Sequence, residues 1–380
     1  MIYLDNSATT FPKPESVYLA VDNAQRNLAV NIGRGHYNVA SEATAIVDET
    51  RALIAQLVNA NSSSDVVFTP SATIAANEII LGLEWDSYKN IYISPYEHNA
   101  IARPIELAKN QYGFSLFILP FDHSSYSIDV DKMQRMFAEN PPDYIFLNHI
   151  SNITGIILPV DIISTCAKEY NATIIVDASQ SIGLIETNVK KLGIDYLIFA
   201  GHKNLYSSFG VGGFVCNSNT SLVPVLAGGT GSDSLNLSMD NSLPTGFEVG
   251  SPNIIAICSL NASLKWLIDT GIEHIAKSKT VLMDNLIYGL REKPIKLYLP
   301  ESRINHTSIL SFNHNDYTSN EVGSILCNEY DIAVRTGYHC VPYIHDIIDT
   351  KKFNGTVRIS FSYFNTENDI NELLQVISNI

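Results

Sequence analysis

TIIVDASQ at residues 173–180 and YLIFAGHK at 196–203 reveal the architecture of this 380-residue chain. Each is a short run of β-branched, aliphatic or aromatic residues that ends abruptly in small and polar ones. A strand with one wet face alternates apolar and polar side chains, whereas a near-continuous apolar run belongs to a strand buried on both faces. Comparable runs occur on either side, at 66–69, 91–94, 115–119, 144–148 and 211–216. Between them lie stretches with apolar residues at helical spacing, at about 74–83, 100–110, 130–137 and 160–170. A further helix, which Ser41 is placed to cap, would carry Ile46, Val47, Leu53, Ile54, Leu57 and Val58 on one face. Such strands alternating with helices predict an α/β fold with a large, mainly parallel sheet and helices on both faces.

The texture changes at 230–252, which is rich in Gly, Ser and Pro and too long for an ordinary connection. A loop of that size is expected to be functional or interfacial. Beyond it, helical patterns occupy 254–268 and 272–290, and strand-like runs occupy 307–313, 333–335 and 356–361. A closing helix starts at Thr366, with Asp369 at capping-box spacing. The expected division is a larger unit over 15–252 and a smaller α+β unit over 253–380 that includes the N-terminal segment 1–14.

Thirty-nine acidic residues against 24 basic ones give a net charge of −15, which argues against nucleic acid as a partner. No apolar run reaches membrane-spanning length and no basic, apolar leader opens the chain, so no membrane partner and a cytoplasmic location are expected. The cysteines at 166, 216, 258, 327 and 340 are widely spaced, without a C-x-x-C pair, which speaks against a disulfide framework. Four of them sit in apolar patterns and are expected to be packing residues. Cys340, in RTGYHC ahead of Val-Pro, sits in a polar, turn-rich setting and is the exception. His339, Cys340 and His345 lack a usual zinc spacing, so no metal is expected.

An open α/β sheet binds ligands beyond the carboxyl ends of its strands. Neither G-x-G-x-x-G nor G-x-x-x-x-G-K-[ST] is present, so the dinucleotide and P-loop readings lack their main support. The apolar runs lead instead into PSAT at 70–73, YEHN at 96–99, HISN at 149–152, DASQ at 177–180 and AGHK at 200–203. Any one of these reads equally well as ordinary strand-end polarity. Five in succession at one sheet edge supply the groups that pyridoxal phosphate requires. Lys203 is the amine for a Schiff base, Asp177 the carboxylate for the pyridine nitrogen, and His98 the ring that covers one face. Gln180 is the donor to the phenolic oxygen, and Ala72, Thr73 and His202 form a phosphate cradle at a helix start.

The chain also resembles a known family nearly end to end. The resemblance rests on YLDNSATT at 3–10, Arg34-Gly35-His36, EHN at 97–99, SNITG at 151–155, DASQ, GHK, EVGSPN at 248–253, RTGYHC at 335–340 and VRISFSYFNT at 357–366. These are similar to the fold-type I pyridoxal-phosphate enzymes of aminotransferase class V, and within them to cysteine desulfurases and their selenocysteine-lyase-like relatives. The resemblance implies Lys203 as the Schiff-base lysine, Asp177 on the pyridine nitrogen, His98 stacked on the ring and Gln180 on the phenolic oxygen. It implies Thr73 and His202 on the phosphate, and a homodimer in which Thr230 reaches the neighbouring subunit's phosphate. Arg358 would grip the substrate α-carboxylate, with Asn152 assisting near the ring. Cys340 would take sulfur from L-cysteine as a persulfide, releasing L-alanine, and pass it to an acceptor protein. Departures from the family pattern are Ser71 in place of Gly, Ala200 in place of a hydroxyl residue, and Ser207-Ser208 in place of Gly-Pro. Selenocysteine lyase, another C–S lyase, an aminotransferase or an epimerase are the alternatives on this scaffold. A non-catalytic sulfur carrier or scaffold is the alternative from another class.

Overall fold

The computed structural model describes residues 1–32, 37–218, 222–230 and 235–380. The seven apolar runs pair into one sheet in the order Val66–Thr69, Gly212–Cys216, Tyr196–Ala200, Thr173–Asp177, Tyr144–Asn148, Asn90–Ile93, Ser115–Ile118. Four of the six pairings are parallel, and Gly212–Cys216 runs antiparallel to both its neighbours. The two reversals cancel, so Val66–Thr69 points the same way as Tyr196–Ala200. Six strands therefore end at one edge.

The side-chain alternation explains the unbroken apolar runs. Ile174 and Val176 join one core cluster, where the helices Asn38–Val58 and Ile254–Thr270 contribute Val47, Ile54, Leu260 and Leu264. Ile175 between them joins the opposite cluster, with Ile79 from Ala72–Gly82 and Ile105 from Asn99–Tyr112. Apart from the edge strand Ser115–Ile118, which is exposed or half-buried, both faces are dry, so a polar residue has no place within these strands and polar chemistry begins where each one ends.

The second sheet is antiparallel, in the order Ile295–Leu297, Ile309–His314, Thr356–Ser360, Arg335–Gly337. It packs with Ile272–Leu290 and Glu367–Ile377 around Leu286, Phe312, Ile359 and Leu373. Thr366 and Asp369 form the expected capping box. Leu4 lies in this cluster, and Ile2–Tyr3 pairs in parallel with Ile332–Ala333.

Several expectations change. The helix that Ser41 was expected to cap begins at Asn38, because the Tyr37 carbonyl already accepts from the amides of Ala40 and Ser41. The run 333–335 divides at Val334: Ile332–Ala333 serves the N-terminal strand and Arg335–Gly337 serves the small sheet. Ile254–Thr270 packs on the large sheet's core. Cys327 is exposed rather than packed, since Leu326 faces the core and the next helical residue turns about 100° away. Cys216 and Cys258 are buried as expected.

Because Ile174 and Ile175 each fill a different core, Ile174→Ala and Ile175→Ala should each lower the unfolding free energy by about 2–5 kcal/mol in urea titrations. A near-neutral result for either would contradict burial on both faces.

Candidate active site

The common edge gathers the residues at the ends of the strands. After Val66–Thr69, Ser71 caps the next helix, its hydroxyl accepting from the Ile74 amide at 3.3 Å. The Ala72 and Thr73 amides, ahead of that bond, have no partner among the described residues. Two free amides at the positive end of a helix dipole suit an anion. Gly212 permits this geometry: a Cβ there would lie 2.7 Å from the Ala72 nitrogen. Thr73 itself is exposed.

His98 caps the helix Asn99–Tyr112, its Nδ1 accepting from the Ala100 amide at 3.1 Å. Nδ1 is therefore unprotonated and the ring orientation is fixed. Burial, reinforced by the charges of Lys203, Arg335 and Arg358 against that of Asp177, holds its pKa down at about 4. The ring is neutral at pH 7, as a stacking partner for an electron-poor heterocycle should be. The preceding residue, Glu97, is fully buried, takes a 2.5 Å bond from the Ser94 hydroxyl, and has its second oxygen without a partner. Burial pushes it up to about 8, so it is a neutral acid at pH 7.

Asp177 ends the central strand, one oxygen accepting from the Ser179 amide at 2.9 Å. Lys203, three residues past its strand, is half-buried, and its amine makes no hydrogen bond or ion pair among the described residues. Burial lowers its pKa, opposed by Asp177 and supported by Arg358 and Arg335, which favours the free amine. Gln180 gives one amide hydrogen to the Ser7 carbonyl at 2.8 Å and keeps the other. The His202 ring stacks on Phe209 with centroids 4.6 Å apart, and its Nδ1 is buried without a partner. Burial, with Lys203 and Lys13 nearby, lowers it to about 3. Ser207 and Ser208, which stand where the family has Gly-Pro, are held by the Ser259 hydroxyl at 3.1 and 2.8 Å.

The small sheet brings a second set of residues to the same edge. Arg358, only 1% exposed, donates from Nη1 to the Asn152 carbonyl at 2.9 Å and from Nη2 to Asp5, while its Nε is buried without a partner. An unpaired buried donor costs about 1–3 kcal/mol, which marks it as a position for an acceptor that arrives from outside. Asn152 donates to the His339 carbonyl at 3.0 Å, and its Oδ1 is likewise buried and unpartnered. Arg335 Nη2 lies 3.4 Å from Cys340 Sγ.

His339 and Cys340 are both left-handed, with φ of 49° and 61°. Two consecutive non-glycine residues in this region cost on the order of 1 kcal/mol each. The bonds that offset this cost fix the turn. The Cys340 carbonyl accepts from the Asn99 amide at 2.8 Å, beside His98. His339 Nε2 donates to the Thr356 carbonyl at 3.0 Å, and His345 Nε2 donates to the Tyr338 carbonyl at 3.0 Å. The cysteine is thus tied by its backbone to the turn that carries the histidine.

The structure brings His98, Asn152, Asp177, Gln180, His202, Lys203, Cys340 and Arg358 together through these contacts and charges, with Ala72 following a strand that ends at the same sheet edge. Thr230 is half-buried in the 222–230 stretch. Arg34, Gly35 and His36 lie outside the described residues. Sequence reasoning gave no role to the N-terminal strap. Thr9, Thr10 and Lys13 donate to the His202 carbonyl at 3.0, 3.1 and 2.8 Å, Thr10 through its amide, and Asp5 pairs with Arg358. The only signal was YLDNSATT itself, an otherwise unexplained polar run.

The model of the family described as Aminotransferase class-V matches residues 2–373. A probable cysteine desulfurase of Pyrococcus abyssi is 31% identical over 387 aligned positions, covering 100% of this chain and 94% of that protein. The apo structure of a cysteine desulfurase from Thermococcus onnurineus superposes with a TM-score of 0.92 at 28% identity, covering 100% and 94% of the two chains. The Escherichia coli cysteine desulfurase CsdA superposes with a TM-score of 0.87 at 26% identity, covering 99% and 94%.

Titrating the His98 ring by NMR in the cofactor-free protein should give a midpoint at about 4, against 6.5 for an unperturbed histidine. Burial and the surrounding cations disfavour the imidazolium, so the shift is downward. A midpoint at the ordinary value would contradict a ring that is neutral at pH 7.

Proposed function

The chain belongs to the class-V aminotransferase family, and from that membership we propose that it is a pyridoxal-phosphate-dependent cysteine desulfurase. It takes sulfur from L-cysteine, releases L-alanine and holds the sulfur as a persulfide on Cys340. The observation that carries this reading is the placement of Cys340, with its thiol beside Arg335 and its backbone bonded to the turn of His98.

Pyridoxal phosphate suits the residues present. The Lys203 amine and the amides of Ala72 and Thr73, all without a partner among the described residues, the orphaned His202 Nδ1 and the Asp177 carboxylate match its aldehyde, phosphate and pyridine nitrogen. His98 would cover the ring, Gln180 would use its remaining amide hydrogen on the phenolic oxygen, and Thr230 would reach the phosphate of a neighbouring subunit. When bound, the cofactor supplies an electron sink for negative charge on the substrate carbon.

The chain's own residues do the rest. Arg358 binds the substrate α-carboxylate by charge-assisted hydrogen bonds, assisted by Asn152. Lys203, which burial biases toward the free amine, takes and returns the α-proton at Nζ. Arg335 Nη2 donates toward Cys340 Sγ at 3.4 Å, and the nucleophile is the thiolate form of that sulfur. That thiolate attacks the substrate sulfur: an S–S bond forms and the carbon–sulfur bond breaks. The electron pair of the broken bond stays with the carbon, which takes up a proton and leaves as L-alanine. The strained, anchored cysteine turn suits a fixed nucleophile, from which a thiol-bearing acceptor protein collects the sulfur.

We assign the exposed apolar residues of the long loop, Leu235 and Leu237 at 94% and 99% exposed, with Val223 and Leu226, to a homodimer interface. No helix among the described residues is long and apolar enough to cross a membrane. Five free thiols fit a reducing cytoplasm.

With cofactor loaded, Cys340→Ala should keep the visible absorbance and lose about a hundredfold or more of cysteine-dependent sulfide and alanine formation. Lys203→Ala should lose the absorbance on dialysis. Unchanged turnover in Cys340→Ala would overturn the persulfide mechanism.

A further inference from the structure

We propose that Asp5 is a positioning residue for substrate recognition: it holds one end of the Arg358 guanidinium so that the Nε edge is presented to the α-carboxylate. The proposal rests on the reading of Arg358 as the carboxylate-binding group and extends it to a residue of the N-terminal strap.

Arg358 has three kinds of donor, and two are engaged. Nη1 is held by the Asn152 carbonyl and Nη2 by Asp5, which leaves the buried Nε. A carboxylate that competed with substrate for the binding edge would cover Nε. Asp5 is bonded to Nη2 and leaves Nε without a partner.

Asp5 is itself held in place. Its carbonyl accepts from the Tyr3 hydroxyl at 3.1 Å and the Ala8 amide at 3.0 Å, and it bridges to Ser360 on the strand that carries Arg358. The next two residues are fastened to the same strand, Asn6 Nδ2 to the Ser360 carbonyl at 3.0 Å and the Ser7 amide to the Ser360 hydroxyl at 2.8 Å. The carboxylate therefore has a set position relative to the guanidinium.

Charge gives a second argument. Arg335 and Arg358 are directly opposed across antiparallel strands, an arrangement that is unfavourable for like charges. Asp5 is the carboxylate paired with Arg358, and Arg335 has no ion pair among the described residues. One acid against two cations leaves a surplus of one positive charge, which matches a single substrate carboxylate. Without Asp5 the two guanidiniums would repel each other and Arg358 would lose one of its two anchors.

The test is Asp5→Asn in the cofactor-loaded protein, read by spectral titration with L-alanine and with L-alaninamide, which lacks the carboxylate. L-alanine should bind about tenfold or more weakly in the variant, while L-alaninamide binding stays within about threefold. The KM for L-cysteine should rise by a similar factor with kcat little changed. Asp5→Glu, read in the same way, should recover part of the loss for L-alanine. Unchanged or tighter L-alanine binding, or an equal loss for L-alaninamide, would overturn the proposal. Wild-type protein that discriminates L-alanine from L-alaninamide yet forms no sulfide from cysteine would count against the desulfurase reading and not against Asp5.

Discussion

Burial of both faces of the central strands is the constraint that governs the site. Ile174 and Val176 serve one core and Ile175 the other, so Thr173–Asp177 cannot carry a polar side chain until it reaches the sheet edge. The same holds for Tyr144–Asn148 and Tyr196–Ala200. Parallel pairing then puts those ends side by side, and Asp177, Asn152 and Lys203 come together although no two are close in sequence. Apolar burial thus positions polar chemistry.

The second half of the site arrives by a different route. Thr356–Ser360 and Arg335–Gly337 are neighbours in a small antiparallel sheet, which delivers Arg358, Arg335 and the turn to Cys340 as one unit. The N-terminal strap joins that unit to the large sheet. It bonds Ser360 on one side, and Gln180 and the His202 carbonyl on the other. Residues 5–13 thus touch both halves of the site, and Lys13, on the His202 carbonyl, is a half-buried amine held down at about 7 by desolvation.

Much of this was legible in the sequence, because its causes are local. The apolar runs and the polar residues after them follow from strand burial alone, so the sheet, the edge and the residues at 72–73, 98, 152, 177 and 203 could be read directly. The features that were not legible depend on partners far along the chain. Asp5 and Arg358 are separated by 353 positions, and no local pattern links them. The reversal of Gly212–Cys216 is invisible because a strand buried on both faces reads the same in either direction. Cys327 looked like a packing residue because Val322 and Leu326 gave its neighbourhood an apolar period, although its own position on that helix faces water. The left-handed turn at His339–Cys340 carries neither glycine nor asparagine to announce it, and tertiary hydrogen bonds hold it instead.

If the amine of the large sheet and the thiol of the small one serve a single substrate, sulfur from that substrate must arrive on one particular cysteine. Mass spectrometry of the cofactor-loaded protein after brief exposure to L-cysteine reads this out. One added sulfur atom is expected on the peptide that contains Cys340, and none on those that contain Cys166, Cys216, Cys258 or Cys327. Alanine production with Cys340 unmodified, or sulfur distributed over the other cysteines, would contradict it.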